Sequence, residues 1–112
     1  MLRDAGYDVR QAEDGKTALE VVRTWRPALV VTDVFMDRMD GVDLIRAVRR
    51  EGWRTKFVAV SAGWGRPAAH GGAEGGPDVL EDAIAAGADA TLLKPLDAGA
   101  LVATVARLLS ER

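Results

Sequence analysis

Three short, continuously apolar runs dominate the chain: Ala28-Leu-Val-Val-Thr32, Phe57-Val-Ala-Val-Ser61 and Ala90-Thr-Leu-Leu93. Each has the length and character of a strand buried on both faces, and a helical pattern separates one from the next. Strands and helices alternating at such short spacing imply βα units and a parallel sheet. In open α/β sheets, ligand chemistry gathers at the carboxyl ends of the strands. There the sequence places Asp33, Ser61 and Lys94. The three are therefore expected to converge on one edge of the sheet.

With 112 residues there is room for one domain and a real core, but not for a second domain. The composition, 48% hydrophobic and 29% charged, is that of a globular chain rather than a disordered one. A formal net charge of -2 gives no electrostatic reason to expect nucleic-acid binding. Cysteine is absent, which excludes disulfides and thiolate metal sites and agrees with a reducing cytoplasm. No apolar run is long enough to span a bilayer, so no membrane role is expected.

Along the chain, Met1 to Gly6 reads as the last turn of a helix closed by Gly6. Tyr7 to Ala12 alternates as an edge strand would. Asp14 can cap a helix from Lys16 to about Trp25, with Ala18, Val21, Val22 and Trp25 along one stripe. Asp40-Gly41 fits the cap of the next helix, Val42 to Glu51, which turns Leu44, Ile45 and Val48 inward and Arg46, Arg49 and Arg50 outward. Because that cap is already supplied, capping is a poorer account of Asp33 than chemistry. The segment from Gly63 to Gly76 is rich in glycine and alanine, holds the single histidine, His70, and reads as a surface loop. Pro77 suits the first turn of a helix reaching Ala86, with Leu80, Ala83 and Ile84 inward and Gly87 closing it. Asp97 caps a last helix striped by Leu101, Val102, Val105, Leu108 and Leu109.

A carboxylate can attack a phosphoryl group and form an acyl phosphate. The charge of the incoming group must then be cancelled, in part by an ammonium such as Lys94 and usually by a divalent cation as well. A serine hydroxyl can hydrogen-bond a further phosphoryl oxygen. Taken singly, Lys94 is an ordinary solvated lysine and Ser61 a small residue that fits a turn. Standing together on successive strand ends, with Asp33, they make a coherent phosphoryl-acceptor set.

At these residues the chain resembles the receiver domain of two-component response regulators. The resemblance is carried by Ala5-Gly-Tyr-Asp-Val9, Ala12-Glu-Asp-Gly15, the Asp33…Met36…Met39-Asp-Gly41 loop, Val60-Ser-Ala62, Ala86-Gly-Ala-Asp89 and Lys94-Pro95, in family order over nearly the whole chain. It implies a flavodoxin-like parallel sheet with helices on both faces. It further implies that Asp33 is the phosphoacceptor, supplied by a histidine kinase or phosphotransfer protein. Ser61 would be the switch hydroxyl, Ser61, Ala62 and Lys94 would contact the phosphate, and the Lys94–Pro95 bond would be cis. Mg²⁺ would be held partly by Asp33 and the backbone carbonyl of Phe35.

Set beside that family, the chain lacks the first strand, the acidic pair at its end and most of the first helix, roughly 25 residues by usual element lengths. Two expectations follow. Without the acidic pair, Mg²⁺ binding is weak or absent, since Asp33 alone is a poor site for an octahedral oxygen-seeking cation. In the strand order 2-1-3-4-5 the absent strand is central, so the Asp33 strand has an open edge. Three explanations arise: a natural chain that begins earlier (the one the sequence favours), pairing of the open edge with another copy in a homodimer, or sliding of the Tyr7 strand against the Asp33 strand. The 112 residues alone are expected to be unstable or self-associated.

Smaller departures are Asp37 where proline is usual, Thr91 where an aromatic is usual, and the long Gly63–Gly76 loop. Asp37 and His70 read as solvated side chains, and Thr91 weakens the coupling of Ser61 to an output face. A degenerate receiver that binds partners without taking phosphate is the main alternative. Enzyme readings fail: Phe35 stands where an Asp-based phosphatase wants its second acid, Arg10 stands where the phosphate loop ending in Gly15-Lys-Thr17 wants its first glycine, and Gly71 to Gly76 follow no strand in dinucleotide-binding spacing.

Overall fold

The computed structural model describes residues 2–34, 40–61 and 77–111, of which 77–80 are described by backbone alone. After a short 3₁₀ turn at Arg3–Ala5 come α1 (Gly15–Trp25), β1 (Leu29–Asp33), α2 (Gly41–Arg50), β2 (Lys56–Ser61), α3 (Pro77–Ala86), β3 (Ala90–Leu93) and α4 (Ala98–Ser110). The strands form one parallel sheet in the order β1-β2-β3, with Asp33 beside Val60 and Ser61 beside Leu93. This is the α/β arrangement read from the three apolar runs.

The helix caps follow the sequence. Asp14 accepts from the Thr17 N–H at 2.8 Å, Asp40 from Asp43 N–H at 2.9 Å and Asp97 from Gly99 N–H at 2.8 Å. Successive residues of β2 point to opposite faces, so Phe57 and Ala59 pack with Leu19, Val22, Leu44, Ile45, Val48 and Ala83, under α1, α2 and α3. Val58 and Val60 pack on the other face with Leu108 of α4, beside Leu29, Val31, Ala90 and Leu92. Among the described residues, α1, α2 and α3 therefore cover one face and α4 the other.

Four expectations are corrected. Residues 7–12 form no strand: among the described residues no strand pairs with the segment, and alternation alone does not make a strand without a hydrogen-bonded neighbour. Ile84 is 56% exposed rather than inward, since α3 touches the core through Ala83 and Ile84 lies about 100° further round the helix. β3 is only half-buried, with Leu93 57% exposed, as befits the far edge of the sheet. Arg49 does not simply face solvent. Its guanidinium donates to the carbonyls of Trp53, Thr55 and Gly87 and to the Asp89 carboxylate, tying the end of α2 to the start of β2 and to the α3–β3 turn.

At the ends of α1 and α2, Arg23 donates twice to the Glu51 carboxylate, at 3.0 and 2.6 Å. The hydrogen bonds from Arg23 hold the Glu51 carboxyl below its ordinary range. A lowered carboxyl contributes its stability above the unfolded value and loses it as pH falls through the folded one. Replacing Arg23 with alanine is expected to move the Glu51 titration midpoint upward, toward the ordinary carboxylate range, in an NMR pH titration.

Candidate functional site

Parallel strands in register bring their carboxyl ends to one line, and the site stands on that line. Asp33 closes β1, Ser61 closes β2 and Lys94 follows β3 directly. Lys94 is fixed by its own backbone, whose N–H donates to the Ser61 carbonyl at 2.7 Å, and the following peptide bond to Pro95 is cis. From there the lysine reaches across the end of β2. Its Nζ donates to Asp33 Oδ2 at 2.5 Å.

The side chains of Lys94 and Asp33 are 44% and 26% exposed, so this ion pair is open to an incoming group. Ser61, at the end of the adjoining strand, is completely buried. Of the other residues singled out in the sequence, Ala62, Phe35, Asp37 and His70 lie outside the described residues. Thr91 lies in β3, half-buried and in register with Ala59. Among the described residues, the structure brings Asp33 and Lys94 into contact and sets Ser61 on the adjoining strand end.

Two neighbours of Asp33 escaped the sequence reading. Thr32 is buried and its Oγ1 donates to the Asp33 carbonyl at 3.0 Å. Gly41 donates its N–H to the Val34 carbonyl at 2.9 Å, which brings the start of α2 against the end of β1. It sits so close that a Cβ placed there would lie 2.4 Å from the Asp33 carbonyl oxygen. The Asp40-Gly41 pair was legible as a helix start. That the glycine also abuts Asp33 was not, since contact across a loop leaves no local pattern.

No group of three or more His, Cys, Asp or Glu side chains among the described residues makes a metal site. A single carboxylate already paired with an ammonium does not supply the oxygen cage that Mg²⁺ prefers, so these residues do not by themselves fit the ion.

A carboxylate and a lysine meeting at the carboxyl edge of a parallel sheet agree with what sequence comparison finds. The Response regulator receiver domain family matches residues 1–106. The chain is a receiver domain of the response regulator family. The receiver is 33% identical over 107 residues to the response regulator MprA of Mycolicibacterium vanbaalenii, covering 93% of this chain and 40% of that protein. It is 32% identical over 106 residues to the transcriptional regulatory protein PdtaR of Mycobacterium tuberculosis, covering 94% and 46%. Among solved structures it resembles the chemotaxis protein CheY4 of Vibrio cholerae, with a TM-score of 0.78 and 29% identity over 96% of this chain and 82% of that one. The receiver thus spans less than half the length of these curated relatives. Among the described residues, no helix is long and apolar enough to cross a membrane.

Proposed function

We propose that this receiver takes a phosphoryl group onto Asp33 from a phosphohistidine of a histidine kinase or phosphotransfer protein, and in that form switches a partner or output. The Asp33–Lys94 pair at the carboxyl edge of the sheet is the observation that supports the reading. An Asp33 carboxylate oxygen attacks phosphorus, the P–N bond breaks, and its electron pair stays on the departing imidazole nitrogen. The product is a mixed anhydride on Asp33. Positioning and charge cancellation are what the protein must supply to such a transfer. The Lys94–Asp33 contact supports a role for Lys94 in following charge from the carboxylate to a phosphoryl oxygen. Ser61, on the neighbouring strand end, and Ala62, which follows it in sequence, are the further contacts proposed for that group, with Ser61 as its switch hydroxyl.

Receiver domains generally bind Mg²⁺ for this chemistry. In this chain we expect its affinity to be low, with Asp33 and the Phe35 carbonyl as the contributed ligands. The small net negative charge and the absence of cysteine fit a cytoplasmic signalling module that touches neither nucleic acid nor membrane itself. The 112 residues are proposed to form a single receiver domain.

Incubation with acetyl phosphate and Mg²⁺, followed by intact mass measurement, tests the proposal. The wild type is expected to gain one phosphoryl group and Asp33→Asn none. Lys94→Ala is expected to be slower on the order of 100-fold, the usual cost of removing a group that stabilises developing charge. An unmodified wild type would favour a partner-binding receiver that takes no phosphate.

A further inference from the structure

The edge of the sheet opposite Asp33, where the strands begin, carries a local excess of positive charge. Residues 49–56, Arg-Arg-Glu-Gly-Trp-Arg-Thr-Lys, hold four cations and one acid in a chain whose formal net charge is -2. That acid, Glu51, is already paired with Arg23 at 2.6 Å. Its carboxyl is held low first by the hydrogen bond from Arg23, then by the charges of Arg23, Arg26 and Arg50. A shallow depression of about 360 Å³ opens here, lined by Arg49, Trp53, Arg54, Lys56, Gly87 and Asp89.

Two of the lining charges are committed to the fold and two are not. Asp89 accepts from Arg49 at 3.0 Å and from the Phe57 N–H at 2.9 Å, and Arg49 serves three carbonyls besides. Arg49 and Arg50 stand in the last turn of α2, where cations suit the helix dipole. Arg54 and Lys56 lie beyond that turn and have no such role. Among the described residues, no hydrogen bond or ion pair engages either side chain. Arg54 is exposed and Lys56 half-buried. The Arg26 guanidinium, 4.0 Å from the centroid of the Trp53 ring, brings a further cation to the rim.

We propose that this depression docks an acidic segment of a partner protein, whose carboxylates pair with Arg54 and Lys56. The same chemistry is visible in the edge's own ion pairs, Arg23 with Glu51 and Arg49 with Asp89, each guanidinium to carboxylate. Charge complementarity favours a short acidic segment over a long polyanion. Screening confines the field of the patch to about 8 Å at physiological ionic strength, so a peptide meets the patch alone. Nucleic acid running across the surface meets a molecule of net negative charge. Nor does Trp53 offer a nucleobase an open ring, since it is half-buried and Arg26 already stacks on it. Lys56 opens β2 and Ser61 closes it, about 17 Å away by strand rise. A partner docked here leaves the Asp33 edge free, so its binding does not depend on whether Asp33 takes phosphate.

The test titrates the full chain into a fluorescein-labelled Glu-Asp-Glu-Glu-Asp-Glu peptide at low ionic strength, read by fluorescence anisotropy. Binding is expected to weaken about tenfold in the double variant Arg54→Glu/Lys56→Glu, which turns two attractive contacts into repulsive ones. Arg54→Glu alone, at an exposed position between α2 and β2, is expected to give about a threefold loss. Lys16→Glu/Arg46→Glu makes the same change in net charge at exposed positions elsewhere and is expected to leave binding unchanged, as is Asp33→Asn. An oligouridylate of equal charge is expected to bind more weakly than the peptide. No binding by the wild type, no loss in Arg54→Glu, equal weakening by Lys16→Glu/Arg46→Glu, or tighter binding of the oligouridylate would overturn the proposal.

Discussion

Replacing Gly41 with alanine destabilises the receiver by about 2 kcal/mol, the range of overpacked sites, and lowers its thermal midpoint by roughly 10 °C. The sign is the informative part. Alanine in place of glycine in a helix ordinarily stabilises by about 0.5–1 kcal/mol, since glycine has more backbone freedom to lose. At Gly41 the added carbon would lie 2.4 Å from the Asp33 carbonyl oxygen and 3.0 Å from the Val34 Cα, both backbone atoms that cannot rotate away. Gly99, at the start of α4, is the control: there the nearest atom is the Asp97 carboxylate at 3.4 Å, and alanine is expected to be close to neutral. Because the displaced carbonyl belongs to Asp33, Gly41→Ala also slows phosphoryl uptake. Thermal denaturation of both variants checks the prediction, and stabilisation by Gly41→Ala would refute it.

Arg49→Ala is expected to cost about 3 kcal/mol in urea denaturation, because removing one partner leaves several poorly solvated acceptors behind. The Arg49 guanidinium reaches three carbonyls and the Asp89 carboxylate, whose Oδ2 also accepts from the Phe57 N–H at 2.9 Å. Arg49→Lys is expected to recover less than half of the loss. A lysine ammonium is a point donor and cannot serve acceptors on two sides of a planar fork. Full recovery by lysine would mean that charge alone matters at this position.

These two residues also mark where sequence reading ends. The strands were legible because each is short, apolar and bounded by turn residues, and the helices because Asp14, Asp40 and Asp97 announce their starts. Their order along the chain set the parallel sheet, and the sheet set the line on which Asp33, Ser61 and Lys94 stand. What period and capping cannot carry is contact between residues far apart in sequence. Arg49 looks like a solvated arginine on a helix and is instead a tie across 40 residues to Asp89. Ile84 carries an apolar side chain at a position that the smaller Ala83 already fills toward the core. Tyr7 to Ala12 has the alternation of a strand, yet pairing is a property of two segments, and among the described residues no strand pairs with it. Gly41 read as the start of a helix, while its closeness to Asp33 depends on how a loop closes in space.

The central claim is that Asp33 is the atom-bearing acceptor, and chemical mapping tests it most directly. After incubation with acetyl phosphate and Mg²⁺, borohydride reduces an aspartyl phosphate to homoserine, and peptide mass spectrometry locates the converted residue. The account predicts homoserine at position 33 alone, absent from Asp33→Asn. Conversion at Asp37 or Asp40 instead, or at no residue, would contradict it.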